Sequence, residues 1–278
     1  MKYRGRIAPS PTGYLHLGHA RTFWTAQQRA RAADGILVFR NEDLDVQRCR
    51  LEFVQAMYED LRWQGLSWQE GPDVGGPCAP YSQSERREFY LEAWRKLRDE
   101  GAIYPCTCSR KELEQALSAP HDDADEISYP GTCGAKPWSA RDFQSPAGVS
   151  WRFRVPDELG VGFDDDLQGK QSFVAGKDFS DFLVWRRDDI PAYQLACVVD
   201  DHAMQITEVV RGCDLLKSTA RQILLYEALR LAAPQWAHCD LVTDAGGVRL
   251  AKRHDALSLR ALREKGMSPT QVIESFTK

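Results

Sequence analysis

The sequence contains no apolar run approaching the roughly 18 residues that a membrane span requires, and no signal-like segment precedes Arg4. The expectation is therefore a cytoplasmic protein with no membrane contact. Internal repeats and low-complexity tails are also missing. Nor is there an excess of positive charge: 36 Lys and Arg against 40 Asp and Glu leave a net charge of −4. A chain that wraps nucleic acid non-specifically is usually basic, so any RNA contact must come from a local patch. The 43% hydrophobic and 27% charged composition argues against disorder, and 278 residues suffice for one large core, or one core plus a small subdomain. Eight cysteines are scattered along the chain, which fits a reducing compartment with thiols buried or metal-bound, not a disulfide framework.

The stretch from Arg6 to Arg21 organises the rest. A short β-like run, Tyr3 to Ala8, meets Pro9, Pro11 and Gly13, which forbid its continuation as strand or helix. A helical stretch rich in alanine and glutamine then runs from about Gly18 to Ala33. His16 and His19 thus fall where a strand hands over to a helix N-terminus, a place with unpaired N–H groups and a positive dipole end suited to phosphate. Two ordinary histidines in a polar loop is the plainer reading of His-x-x-His alone. Gly35 to Arg40 reads as a buried parallel strand completing a βαβ unit. Ligands in such sheets sit beyond the strands' carboxyl ends, so Glu42 lies near the crevice of Arg6 and Ser10, as an ammonium ligand or a solvated acidic turn.

Val54, Met57, Tyr58 and Leu61 mark an amphipathic helix ended by Gly65. Ser82 to Glu85 reads as a capping box opening another, with Tyr90, Ala93, Trp94 and Leu97 as its buried stripe and Gly101 as its end. Cys106-x-Cys108 with Cys133 downstream is a zinc signal lacking a fourth ligand. His121 is the chemical candidate for that place, and three buried structural thiols are the alternative. From Ser150 the alternation of Trp151, Phe153 and Val155 with Arg152 and Arg154, continued through Val161 and Val174, predicts antiparallel strands grouped with the cysteine segment. Phe179 to Arg187 returns toward the main sheet. Ala192 to Asp200 is helix-compatible, and Tyr193 either binds substrate or packs. Ile206 to Gly212 is β-rich and ends at Arg211, placed to pair a carboxylate. Leu215 to Leu231 is a core helix, and Ser258 to Lys265 another helix, preceded by the basic cluster Arg249, Lys252 and Arg253.

These residues carry a resemblance. Arg6-Ile-Ala-Pro-Ser-Pro-Thr-Gly13 followed by His16-Leu-Gly-His19 resembles the opening and the "HIGH" box of class I aminoacyl-tRNA synthetases of the glutamyl/glutaminyl branch. Arg40-x-Glu-Asp-x-Asp45, Leu66 to Asp73, Tyr81 to Arg86 and Tyr193-Gln-Leu-Ala before Val198-Val-Asp-Asp201 are similar to the same branch. Val248 to Arg253 matches the "KMSKS" loop in position, with Arg249 for the first lysine, Ala251 for the serine and Lys252 for the second lysine. Cys-x-Cys … Tyr-x-x-x-Cys, with only 26 residues after Lys252, resembles the short glutamyl-queuosine tRNA(Asp) synthetase family, a catalytic core without an anticodon-binding portion.

The resemblance implies an α/β fold: a Rossmann-like class I catalytic core over 1–100 and 188–278, with an inserted zinc-containing α+β subdomain over 101–187. It implies His16, His19 and Lys252 as catalytic, with Gly18 beside them in the ATP site. Arg6, Ala8, Ser10, Glu42, Tyr193 and Arg211 would hold glutamate, and Cys106, Cys108, Tyr129 and Cys133 a structural Zn²⁺. The partners would be ATP with Mg²⁺, L-glutamate and tRNA(Asp) carrying queuosine, approached by a monomer whose Arg249, Arg253, Arg260 and Arg263 steer phosphates. Glutamate would be adenylated and passed to queuosine. A minimal synthetase charging a tRNA 3′ end and a non-catalytic glutamate- or nucleotide-binding regulator are the rivals.

Overall fold

The computed structural model describes residues 2–109, 129–136, 138–242 and 258–277. Strand β1 (Arg4–Ile7) lies parallel to β2 (Ile36–Phe39), with Arg4 opposite Ile36 and Ile7 opposite Phe39. Helix α1 (Leu17–Ala32) connects them, which is the βαβ unit the sequence predicted. His16 caps α1: its Nδ1 accepts the Gly18 N–H at 3.1 Å, while His19 Nδ1 accepts the His16 N–H at 3.3 Å. Leu17, Ala20, Phe23, Ala26 and Ala30 face inward along α1, the spacing of one helix face.

Strands β8 (Glu208–Gly212) and β9 (Gln235–Cys239) are parallel, with Arg211 opposite His238. The Thr207 N–H donates to the Arg4 carbonyl at 2.9 Å, so β8 begins beside β1. A second sheet is antiparallel: β3 (Ile103–Cys106), β4 (Ser150–Phe153) and β7 (Phe182–Trp185), in that order. The hairpin β5 (Gly160–Asp165) and β6 (Gly169–Val174) does not join β4, as the alternating pattern suggested. It attaches to β9 instead, through Asp165 opposite Trp236. Alternation reports which side chains share a face and carries no information on which strand is the neighbour.

Among the described residues the remaining α-helices are α2 (Leu51–Trp63), α3 (Arg87–Asp99), α4 (Tyr193–Ala203), α5 (Leu216–Leu229), α6 (Leu259–Glu264) and α7 (Pro269–Thr277). Gly65 (φ +85°) and Gly101 (φ +73°) follow α2 and α3 in the left-handed region, where glycine carries no Cβ penalty. The capping box at Ser82 does not form. Ser82 is extended and bridges Asn41, and α3 starts only at Arg87. The neighbouring side chains serve tertiary bonds instead: Gln83 donates to Asp200 at 2.7 Å, and Ser84 Oγ to Asp43 at 2.7 Å. Two apolar clusters form the core. One gathers Trp94, Trp151, Trp185 and Leu225; the other gathers Ile7, Phe39, the inner face of α1, and Leu259 and Val272 from α6 and α7. Among the described residues no helix is long and apolar enough to cross a membrane.

Candidate active site

The carboxyl ends of β1, β2 and β8 converge on a buried polar network. Arg40 follows β2 and is fully buried. Its Nη1 donates to Asp201 Oδ1 at 2.6 Å and its Nη2 to Glu42 Oε1 at 2.9 Å. Arg6, on β1, shares that Asp201 oxygen through Nε at 3.3 Å and gives Nη1 to the Val210 carbonyl at 2.9 Å. Asp200, one step along α4, accepts from Arg86 Nε at 2.7 Å, from Gln83, and from the Tyr90 hydroxyl at 3.0 Å. Burial pushes the Asp200 and Glu42 carboxyls up, against the pull of Arg40. Burial acts on Asp201 too, but the guanidiniums of Arg40 and Arg6 overcome it and hold Asp201 below the usual carboxylate range.

Arg211, at the end of β8, is 4% exposed and differs from its neighbours. Its Nε donates to His238 Nε2 at 3.0 Å, its Nη2 to Thr219 Oγ1 at 2.5 Å, and its Nη1 reaches the Tyr193 hydroxyl at 3.4 Å. The guanidinium lies over the Trp236 ring at 5.0 Å. Among the described residues it has no carboxylate partner. A buried guanidinium held by neutral groups is suited to an incoming anion. Tyr193 opens α4 and stays 38% exposed, at the rim. Cys197, one turn on, donates its S–H to Asp201 Oδ2 at 3.5 Å. Ala8 is half-buried and Ser10 exposed, both in the chain leaving β1. The Glu42 N–H donates to the Pro9 carbonyl at 3.0 Å, placing Glu42 over this turn.

The two histidine rings lie 3.9 Å apart between centroids. A Cβ on Gly18 would meet His16 Cε1 at 3.0 Å and Nδ1 at 3.1 Å, so a side chain there crowds the cap. Ser258 bridges His16, and the Leu259 N–H donates to the Leu15 carbonyl at 2.7 Å. The start of α6 is thereby docked on the histidine turn. Arg249, Lys252 and Arg253 lie outside the described residues, as does His121. Arg260 is drawn to Glu59 at 2.5 Å and stacks over Tyr14 at 5.5 Å, while Arg263 stacks over Trp63 at 5.9 Å.

The cysteine cluster sits at the end of β3. The sulfurs of Cys106, Cys108 and Cys133 all lie within 4.8 Å of one another. The Tyr129 hydroxyl is 3.5 Å from Cys106 Sγ and 3.8 Å from Cys108 Sγ, and it accepts the Cys133 N–H at 2.8 Å. Arg152, on the face of β4 opposite Trp151 and Phe153, is buried here: it stacks on the Tyr129 ring at 3.8 Å and directs Nε to Cys106 Sγ at 3.4 Å.

Comparison with known proteins places this geometry. The family of tRNA synthetases class I (E and Q), catalytic domain, matches residues 2–278. The chain belongs to that family. It is 48% identical to the glutamyl-Q tRNA(Asp) synthetase of Symbiobacterium thermophilum over 97% of this chain and 84% of that protein. It is 46% identical to the protein of the same name from Nitratidesulfovibrio vulgaris, over 97% of this chain and 83% of that one. Among solved structures, the glutamate-tRNA synthetase of Elizabethkingia anophelis superposes with a TM-score of 0.80 at 31% identity, covering 96% of this chain and 54% of that one. The chain thus spans about half the length of that solved synthetase.

Within this class I framework the structure gathers Arg6, Glu42, Tyr193 and Arg211 at one crevice, with the His16–His19 turn at the end of the same β1 connection. Sequence reading named Arg40, Arg86, Asp200 and Asp201 only within the stretches that carry the resemblance, without a role for any of them, and did not single out His238. A signal existed for some of them: Asp200 and Asp201 interrupt an otherwise apolar helix, and Arg40 ends an apolar strand. Nothing local marked His238.

Proposed function

We infer that the protein activates glutamate with ATP, forming glutamyl-adenylate and pyrophosphate, and transfers the glutamyl group to queuosine in tRNA(Asp). The observation that carries this is the 48% identity, over 84% of its length, to a relative named for that activity. The crevice offers the matching chemistry. Arg211 lacks a carboxylate and receives one from glutamate; Arg6 shares Asp201 with Arg40 and can take up the second; Glu42 faces the ammonium group. Ala8, Ser10 and Tyr193 line the approach. This grip holds the α-carboxylate in line for attack on the α-phosphorus. Class I synthetases use ATP with Mg²⁺; the His16, Gly18 and His19 turn, with Lys252, stabilises the phosphate charge. No nucleophilic serine or cysteine is needed.

The residues of the cysteine cluster suit a structural zinc. Zn–S bonds of about 2.3 Å imply ligand–ligand edges of about 3.8 Å in a tetrahedron. The Cys108–Cys133 sulfur separation of 3.4 Å and the Tyr129 contacts of 3.5 and 3.8 Å approach that shape. Cys106, Cys108 and Cys133 would be three ligands and Tyr129 the fourth. The metal would fix a long segment whose sequence has little apolar content. The division into 1–100, 101–187 and 188–278, the cytoplasmic location and the monomeric state remain part of this proposal.

The test is to label tRNA(Asp) with radioactive glutamate after removing its terminal adenosine. Labelling that persists, and disappears with tRNA lacking queuosine, supports the reading. Labelling that vanishes with the adenosine means that the protein charges a 3′ end, as the glutamate–tRNA ligases do that share 41% identity with it.

A further inference from the structure

His238 is fully buried on β9 and lies outside every role assigned above. Its ring joins two elements that the sequence keeps far apart. Nδ1 hydrogen-bonds Asp165 Oδ2 at the end of the β5 hairpin. Nε2 accepts Arg211 Nε–H at 3.0 Å. Since Arg211 can only donate, Nε2 must present a lone pair, and the ring proton must sit on Nδ1. Asp165 enforces this. Its Oδ1 is occupied by the N–H groups of His238 at 3.1 Å, Leu167 at 3.1 Å and Gln168 at 2.9 Å, which leaves Oδ2 aimed at Nδ1.

We propose that Asp165 and His238 are positioning residues for Arg211: the carboxylate fixes the histidine tautomer, and the tautomer sets the guanidinium that selects glutamate. The arrangement turns the Nε edge of Arg211 away from the pocket, so that Nη1 is the nitrogen left facing Tyr193 and the substrate. Burial and the Arg211 charge keep His238 neutral, with its pKa lowered to about 4, which is the state this contact requires. The reasoning rests on Arg211 as a glutamate ligand, and the test separates the two claims.

The measurement is pyrophosphate exchange by the full chain without tRNA, giving separate KM values for glutamate and ATP. Asp165→Asn is the sharp variant. The amide oxygen can keep the three backbone N–H bonds, and the amide nitrogen then donates toward His238 Nδ1. The ring proton is driven to Nε2, where it opposes Arg211 Nε–H. The glutamate KM should rise about tenfold to a hundredfold, with the ATP KM unchanged. His238→Gln supplies an amide oxygen near the Nε2 position without a tautomer. It should recover part of the affinity lost in His238→Leu, and adding Asp165→Asn to it should change little. If Arg211→Met raises the glutamate KM while Asp165→Asn leaves it unchanged, the positioning role is overturned. If Arg211→Met leaves it unchanged, Arg211 is not a ligand and the pocket assignment fails first. Equal losses in glutamate and ATP KM for Asp165→Asn would mark a merely structural effect and also overturn the proposal.

Discussion

Arg211→Met should separate substrate binding from stability. Arg211 is 4% exposed, and its partners are His238, Thr219 and Tyr193, all uncharged. Removing a buried cation that lacks a carboxylate relieves a desolvation cost and leaves no anion stranded. Nor is an acceptor orphaned, because the Thr219 hydroxyl already lies 3.0 Å from His238 Nε2. The stability change should therefore stay within about 1 kcal/mol. Binding should behave oppositely, since truncating one member of a buried charge pair costs about 2–5 kcal/mol. At 1.36 kcal/mol per decade, that is about thirtyfold to several thousandfold in kcat/KM for glutamate. Asp201→Asn is the control with the reverse signature. It takes from Arg6 its carboxylate partner and leaves Arg40 with Glu42 and the more distant Asp200, so it should cost about 3–5 kcal/mol of stability. Urea unfolding and pyrophosphate exchange on the same preparations decide the matter. An Arg211→Met protein that unfolds more than about 3 kcal/mol more easily, with unchanged kcat/KM, would refute the reasoning.

Protein purified without added zinc should carry one zinc per chain by metal analysis, and Cys106→Ser should lower that content while leaving the ATP KM alone. Exchange should favour glutamate over glutamine, because an amide leaves the Arg211 charge unpaired in a partly dry site; equal rates for both amino acids would remove it from the pocket. Lys252→Ala should cut adenylate formation about a hundredfold to a thousandfold with the melting temperature unchanged. His238 gives a pH signature. Its folded-state pKa is depressed from the ordinary 6.5 to about 4, so the unfolded chain takes up the proton first as pH falls. Stability of about 3 kcal/mol is present above pH 6.5 and lost progressively toward pH 4. His238→Gln should flatten that part of the stability profile, and an unchanged slope would contradict the assignment.

Much of the framework was legible in the sequence because it is written in local pattern. The run before Pro9 became β1, the alanine-rich stretch became α1, and the apolar run before Arg40 became β2. The end of a β8-like run located Arg211, and the close cysteines located their cluster. The missed features are those in which local pattern and tertiary demand part company. Ser82-Gln-Ser-Glu85 has the residues of a capping box, yet Asp200 claims the Gln83 amide and Asp43 claims Ser84. Alternation put Arg152 on the face of β4 opposite Trp151 without showing what covers that face, and the cysteine cluster does. Asp165 lies 73 positions from His238, and Arg40 lies 161 from Asp201. Periodicity carries no information over such separations.

Net charge conceals the property that matters most. The chain as a whole is acidic at −4, which suggests little affinity for an anionic substrate. Inside the crevice the carboxylates are already committed: Asp200 to Arg86, Asp201 to Arg6 and Arg40 together, Glu42 to Arg40, and Asp165 to His238. Arg6 and Arg40 share Asp201, Asp165 faces a neutral histidine, and Arg211 has no carboxylate partner among the described residues. The four carboxylates match the four guanidiniums in number, so the deficit is local to Arg211, and it lies where water access is restricted and each charge counts for more than on the surface. Two kinds of partner could make up that deficit, an inorganic anion or a substrate bearing carboxylates. The geometry favours the second, because Arg6 and Arg211 approach from different strands while Glu42 supplies a fixed negative charge between Arg40 and the turn after β1. An inorganic anion has no group for that carboxylate to hold. On the proposed reading, an amino acid with a second carboxylate would satisfy all three at once, which an inorganic anion would not.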